Sequence, residues 1–270
     1  MKLAASNIAW LPAQDAQAAA LLKNAGFDGI EIALTREWPD LTSAPMPDVH
    51  AFARRWSDAG LPIVAAQALL FGRPDLLVLG PPDVRRQLID YLRLVFDLCA
   101  AAGAAKMVFG SPRNRRRDGR SKKDAMAIGA DVFRELGCEA ARRGLVLAIE
   151  ANPPEYGADF ITTVSDAVEL VKAVDHPGFR LHLDHGCMTM AGDVIAESIP
   201  QSAPYAVHAH ASAPQLEPVT GSTTTLPAFV TGLESAGYGG WLSLEMRRSE
   251  SGDLSALERS VEYVRSAVVR

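Results

Sequence analysis

The sequence predicts an α/β fold, a (β/α)8 barrel of the TIM type, on three observations. Eight short apolar runs of strand length alternate with helix-length segments from one end of the chain to the other. That is the pattern of a parallel sheet whose strands are buried on both faces. A glycine repeatedly follows the last periodic residue of a helix, at Gly26, Gly60, Gly103 and Gly144, where a left-handed stop is expected. Finally, four late strands each run into a polar residue. Leu145 to Ile149 leads into Glu150, Phe179 to Leu183 into Asp184, Tyr205 to Ala209 into His210, and Trp241 to Leu244 into Glu245. Chemistry in such barrels sits at the C-terminal ends of the strands, so fold and site predict each other. A doubly wound open sheet would carry a Gly-rich first turn, and Ile8-Ala9-Trp10-Leu11-Pro12 has none.

In chain order, residues 2–8 read as the first strand and 15–24 as an alanine-rich helix. The second strand covers 28–33, and a loop with Arg36, Trp38 and several prolines leads to a helix over 48–59. Residues 61–67 form the third strand. The helix over 83–102 repeats apolar residues at Leu88, Tyr91, Leu92, Val95 and Leu98, a helical period. Strand four is 105–109, followed by a helix over 121–143. Strand five is 145–150, and helices are expected at 164–173, near Asp193, at 226–236 and at 253–268, with strands six, seven and eight between them.

No linker or shift of composition divides the 270 residues, so one domain over 1–270 is expected. No apolar run is long enough to span a bilayer. The N-terminus has no signal-peptide architecture, and the three cysteines lack metal-knuckle spacing; both features point to a reducing cytoplasm. A net charge of −5 argues against a nucleic-acid binder. Apolar loop residues Leu69, Leu70 and Phe71 are compatible with a homo-oligomer in which they cover a partner's site.

The set Glu150, Asp184, His210 and Glu245 suits a hard or borderline divalent cation, Mn²⁺ first, with Mg²⁺, Co²⁺ or Zn²⁺ as alternatives. His182 and His208 lie two residues before Asp184 and His210 and so share their inward face; they are expected to support the ligands. Glu31 is expected as a satisfied interior carboxylate, and Cys187 as a buried small side chain. The loop after strand four holds Ser111, Arg113, Asn114, Arg115, Arg116 and Arg117. Its arginines at the barrel mouth match phosphate or carboxylate oxygens on a substrate. Arg36, Gln67, Asn152 and Tyr156 complete the expected substrate contacts.

Asn7-Ile8-Ala9-Trp10, Gly29-Ile30-Glu31-Ile32, Ala148-Ile149-Glu150-Ala151-Asn152-Pro153, Leu183-Asp184, His208-Ala209-His210 and the segment Gly237 to Met246 carry a whole-chain resemblance. The sequence resembles the sugar phosphate isomerase/epimerase superfamily of xylose isomerase-like barrels. The resemblance implies that Glu150, Asp184, His210 and Glu245 are the metal ligands and that the two glutamates double as acid and base. It also implies a histidine at the place of Cys187 and an arginine at that of Leu216, so two family substrate contacts are missing here.

The activity expected is a metal-dependent isomerisation or epimerisation of a sugar or sugar phosphate through an enediolate. A polyol or keto-inositol dehydratase and a non-catalytic sugar-binding barrel are the alternatives. Apurinic endonucleases share the barrel, but their trinuclear zinc site needs more strand-end histidines than the 6 here supply.

Overall fold

The computed structural model describes residues 1–268. Eight parallel strands close into a barrel in sequence order: β1 (Lys2–Ser6), β2 (Gly29–Ala33), β3 (Ile63–Gln67), β4 (Lys106–Phe109), β5 (Val146–Glu150), β6 (Phe179–Asp184), β7 (Ala206–Ser212) and β8 (Trp241–Glu245), with β8 paired to β1. The helices are α1 (Asp15–Asn24), α2 (Met46–Asp58), α3 (Pro82–Ala102), α4 (Lys122–Ala141), α5 (Val164–Val174), α6 (His185–Ala191), α7 (Ile195–Ser202), α8 (Leu226–Ser235) and α9 (Ser255–Val268). No helix among the described residues is long and apolar enough to cross a membrane.

Strand parity builds both the core and the site. On β5 Leu147 and Ile149 are fully buried against the helices, while Ala148 and Glu150 take the other face. On β6 Leu181 and Leu183 alternate in the same way with His182 and Asp184, and on β7 Ala209 and Ala211 alternate with His208, His210 and Ser212. The outward set makes one continuous core with helix residues such as Leu88, Leu92, Val95 and Phe96 of α3. Each large apolar side chain buried this way stabilises the fold by roughly 1.5–3 kcal/mol. Phe109, Phe133 and Phe179, with ring centroids 5.1 and 4.9 Å apart, lock α4 onto β4 and β6. Inside the barrel, Ala4, Val64 and Ala65 pack with Trp241 at the N-terminal end. The polar residues of the site lie above them, toward the strand C-termini.

Three local expectations change. Strand β1 stops at Ser6, because Asn7–Ala9 turn into a 3₁₀ helix and the Asn7 Oδ1 accepts from the Ala33 N–H at 2.8 Å. Two helices, α6 and α7, replace the one expected near Asp193. Asp184 starts α6 directly as its cap, accepting from the Cys187 N–H at 2.5 Å. Leu69 and Leu70 are buried, and only Phe71 of that trio is exposed.

Candidate metal and active site

Glu150, Asp184 and Glu245 are the last residues of β5, β6 and β8, while His210 lies two residues inside the end of β7. All four side chains are buried and converge on His210 Nδ1. That nitrogen stands 3.1 Å from Glu245 Oε2, 3.4 Å from Asp184 Oδ2 and 3.9 Å from Glu150 Oε1. It makes no hydrogen bond to any of them.

The opposite edge of the ring explains the orientation. Glu31 on β2, fully buried, accepts from His210 Nε2 at 2.9 Å and from His208 Nε2 at 3.0 Å. Burial alone would raise the Glu31 carboxyl, but the charges and hydrogen bonds of the two imidazoles hold it well below the usual carboxylate range. Glu31 accepts from Nε2 and so turns Nδ1 toward the three carboxylates. Burial alone would lower the imidazole, but the charges of Glu31 and Glu245 hold it well above the usual histidine range, so a cation at Nδ1 would displace a proton there. Asp184 is oriented by the Ser212 hydroxyl, which donates to Oδ2 at 2.8 Å, and by the Cys187 N–H. Burial opposes its ionisation, but these donors and His210 keep its carboxyl low. Glu150 accepts from Asn152 Nδ2 at 2.6 Å. Gly110 backs directly onto it: a Cβ there would stand 2.5 Å from Glu150 Oε2, so only glycine permits this approach.

Three buried carboxyl groups around this imidazole gather acidic charge that a bound cation would compensate, since desolvated charges without compensation are costly. The donor set, oxygen-rich with one imidazole, fits a divalent metal ion. His182 belongs to this cluster more closely than expected. Neither of its ring nitrogens has a partner, Nε2 is 3.6 Å from Glu150 Oε1, and Glu150, His182, Asp184 and His210 can bring donor atoms within 4.8 Å of one another. Burial keeps its imidazole neutral, well below the usual histidine range.

Without a cation, burial and the charges of Asp184 and Glu245 push the Glu150 carboxyl up to about 8. Burial raises Glu245 too. At pH 7 Glu150 is therefore protonated, and a metal ion that requires the carboxylate must displace that proton. Mn²⁺ binding at pH 7 is expected to release protons, and affinity should rise as pH approaches about 8. Calorimetric titrations in two buffers of different ionisation enthalpy check this, and identical apparent enthalpies would contradict it.

The expected substrate contacts divide. Ser111, Arg113 and Tyr156 line a cleft of about 410 Å³ beside the mouth. Gln67 lies at the end of β3 and donates to the Ser6 hydroxyl at 2.7 Å. The other four have donors already engaged within the protein, Arg36 Nε apart. Arg115 is fully buried, and its five N–H groups go to the carbonyls of Gly110, Phe160, Ile161 and Glu150 and to Asn152 Oδ1. Asn114 donates to the carbonyls of Arg73 and Leu76. Asn152 anchors Glu150 and Arg115. Arg36 is paired with Asp15 and Glu37. Arg116 is exposed and lies 3.7 Å from Asp118, while Arg117 has a buried Nε with no hydrogen-bond partner. Ser212 was missed as the residue orienting Asp184, although its place two residues after His210 marks it as inward-facing. Cys187 is buried with its thiol 3.6 Å from Asn152 Nδ2, and burial pushes that thiol up. Leu216 is half-buried at φ 58°, and its carbonyl accepts from the Arg247 N–H.

Known structures share this architecture. A 3-keto-D-glucoside 4-epimerase from E. coli superposes with a TM-score of 0.79 at 21% identity, covering 98% of this chain and 99% of that one. A D-psicose 3-epimerase from Clostridium cellulolyticum H10 gives 0.80 at 17% identity, with 99% and 97% covered. The IolI protein, crystallised with a zinc atom, gives 0.76 at 20% identity, with 100% and 97% covered. At these identities the likeness is one of fold. No curated protein matches the chain in sequence. The profile of the xylose isomerase-like TIM barrel matches residues 19–267, nearly the whole of the barrel described above. The chain belongs to the xylose isomerase-like TIM barrel family.

Proposed function

We propose that the protein is a divalent-metal-dependent isomerase or epimerase of a sugar, with Glu150 and Glu245 as the proton-transferring pair. The observation that carries this reading is the convergence of three buried carboxylates on an unpartnered histidine nitrogen at the catalytic end of the barrel. Glu150, Asp184, His210 and Glu245 would hold the cation, Mn²⁺ by preference for this oxygen-rich set. Bound there, it supplies electrostatic stabilisation of negative charge developing on sugar oxygens next to a carbonyl. Structural neighbours that are sugar epimerases support the same class, and the zinc in IolI keeps Zn²⁺ as a second candidate.

The protein's own groups do the rest. Strands β5 and β8 lie three places apart round the ring, so Glu150 and Glu245 approach a bound sugar from different sides. One takes the proton from the carbon beside the carbonyl. The other returns a proton, either to the neighbouring carbon or to the opposite face of the same one. Asn152 holds Glu150 in position, while the Glu31–His210 contact holds the imidazole. Burial of all four keeps bulk water from competing.

Incubating Mn²⁺-loaded protein with ketohexoses in D₂O tests the proposal. Deuterium is expected at the carbon next to the carbonyl, with the signal lost on chelation and restored by Mn²⁺. A well-folded, metal-loaded protein that exchanges no carbon-bound proton in any ketose would overturn it in favour of a sugar-binding barrel.

A further inference from the structure

Resting on the sugar isomerase reading, we propose that the cleft beside the barrel mouth is a subsite for a second ring. The substrate is then a neutral two-ring sugar, such as a glycoside carrying the reacting ketose, in place of a free or phosphorylated ketose. The cleft lies between the loop after β3, the loop after β4 and the turn after β5. Its volume of about 410 Å³ by itself falls in the roughly 300–1,000 Å³ range of small-molecule sites.

Continuity with the carboxylates comes from two walls. Ser111 follows Gly110, the residue pressed against Glu150. Tyr156 lines the cleft, and its hydroxyl accepts from the Gln215 N–H at 2.8 Å, so the ring reaches across toward the loop after β7. Burial, and then the charges of Cys187, Asp184 and Glu245, raise the Tyr156 hydroxyl, so the ring that walls the cleft lies beside the carboxylates.

The lining selects the chemistry. Phe71 is 72% exposed on the cleft wall. Its apolar face is free to stack on the C–H face of a pyranose, a suitable partner for an aromatic ring. Tyr156 supplies a second aromatic surface with a polar edge. Charge is sparse. Arg73 is paired with Asp75 and lies over Tyr91 at 4.5 Å, while Asn114 faces backbone carbonyls. Arg113 is left as the cleft guanidinium without a carboxylate partner among the described residues. One exposed guanidinium, beside an Arg73 whose charge is balanced by Asp75, suits sugar hydroxyls better than a dianionic phosphate. Both loop walls also begin with a non-glycine residue at positive φ, Ala68 at 57° and Ser111 at 42°, a strain usually retained where loop shape matters.

The test compares D-fructose, D-fructose 6-phosphate and isomaltulose, a glucosyl-fructose with the ketose carbons free, on Mn²⁺-loaded wild type, Phe71→Ala and Arg113→Ala. Solvent-deuterium exchange and calorimetric binding are both read. The expected result is at least a tenfold preference for isomaltulose over both single-ring sugars. Phe71→Ala should bring the ratio close to one, and Arg113→Ala should reduce it partly. Exchange on fructose with no preference for isomaltulose would overturn the subsite and leave the isomerase reading standing. So would a preference for the phosphate that Arg113→Ala abolishes. If no sugar exchanges, the isomerase reading fails, and the binding ratio still judges the subsite: equal affinity for fructose and isomaltulose rejects it.

Discussion

Glu150→Gln and Glu245→Gln are each expected to lower the rate of carbon-bound proton exchange by roughly 10²–10⁴-fold, the usual weight of a positioned acid or base. Glutamine keeps the shape and one oxygen of the side chain but cannot accept a proton. At Glu150 the neighbouring Asn152 amide, which donates to Oε2 at 2.6 Å, can still meet the remaining oxygen, so the loop should hold. Both glutamates also lie in the cluster around His210 Nδ1, so each variant must be measured at saturating Mn²⁺ with bound metal quantified. Exchange within threefold of wild type in a metal-loaded variant would remove that glutamate from the proton-transfer pair. His210→Ala separates the two roles, since it takes away the imidazole donor and leaves both carboxylates. It should abolish stoichiometric metal while the barrel remains folded.

Arg115→Ala is expected to destabilise the fold by roughly 3–5 kcal/mol, as loss of a buried, fully engaged charge does. The guanidinium is still protonated at neutral pH, although burial lowers it to about 10. It bridges the carbonyls of Gly110 and Glu150 to those of Phe160 and Ile161 and to Asn152 Oδ1, tying the loop after β4 to the end of β5 and the turn beyond it. Its removal leaves these oxygens without their donor and loosens Asn152, hence Glu150. Proton exchange should therefore fall along with stability. Arg115→Lys should recover only part, because an ammonium has three donors where the fork has five. Arg113→Ala, in the same loop but exposed, should stay within about 0.5 kcal/mol of wild type. Urea unfolding of the three variants side by side checks the contrast. Equal, small effects at 113 and 115 would refute the bracing role.

That contrast shows what could be read from the chain. Arg113 and Arg115 are two residues apart in one arginine-rich run, and composition treats them alike. Burial separates them completely, because the 3₁₀ turn Pro112–Arg115 faces one outward and drives the other beneath the loops of β4 and β5. The same holds for Asn152, which looks like a substrate contact at the end of a strand and is instead the clamp on Glu150. Glu31 could be placed inside the barrel by its strand, but its partners His208 and His210 lie 177 and 179 residues further on. No local pattern announces that pairing.

Sequence by itself determined the barrel and the four residues at its centre. Strand parity, the helical period and the polar residue at the end of each buried strand are one-dimensional properties, fixed by backbone geometry wherever the residues fall. Only the tertiary structure decided which side chains face a ligand and which bind protein. A hydrogen-bond partner or a wall of a cleft is set by loops from different strands meeting in space. Burial then forces every polar group that lands there to find a donor or acceptor close at hand.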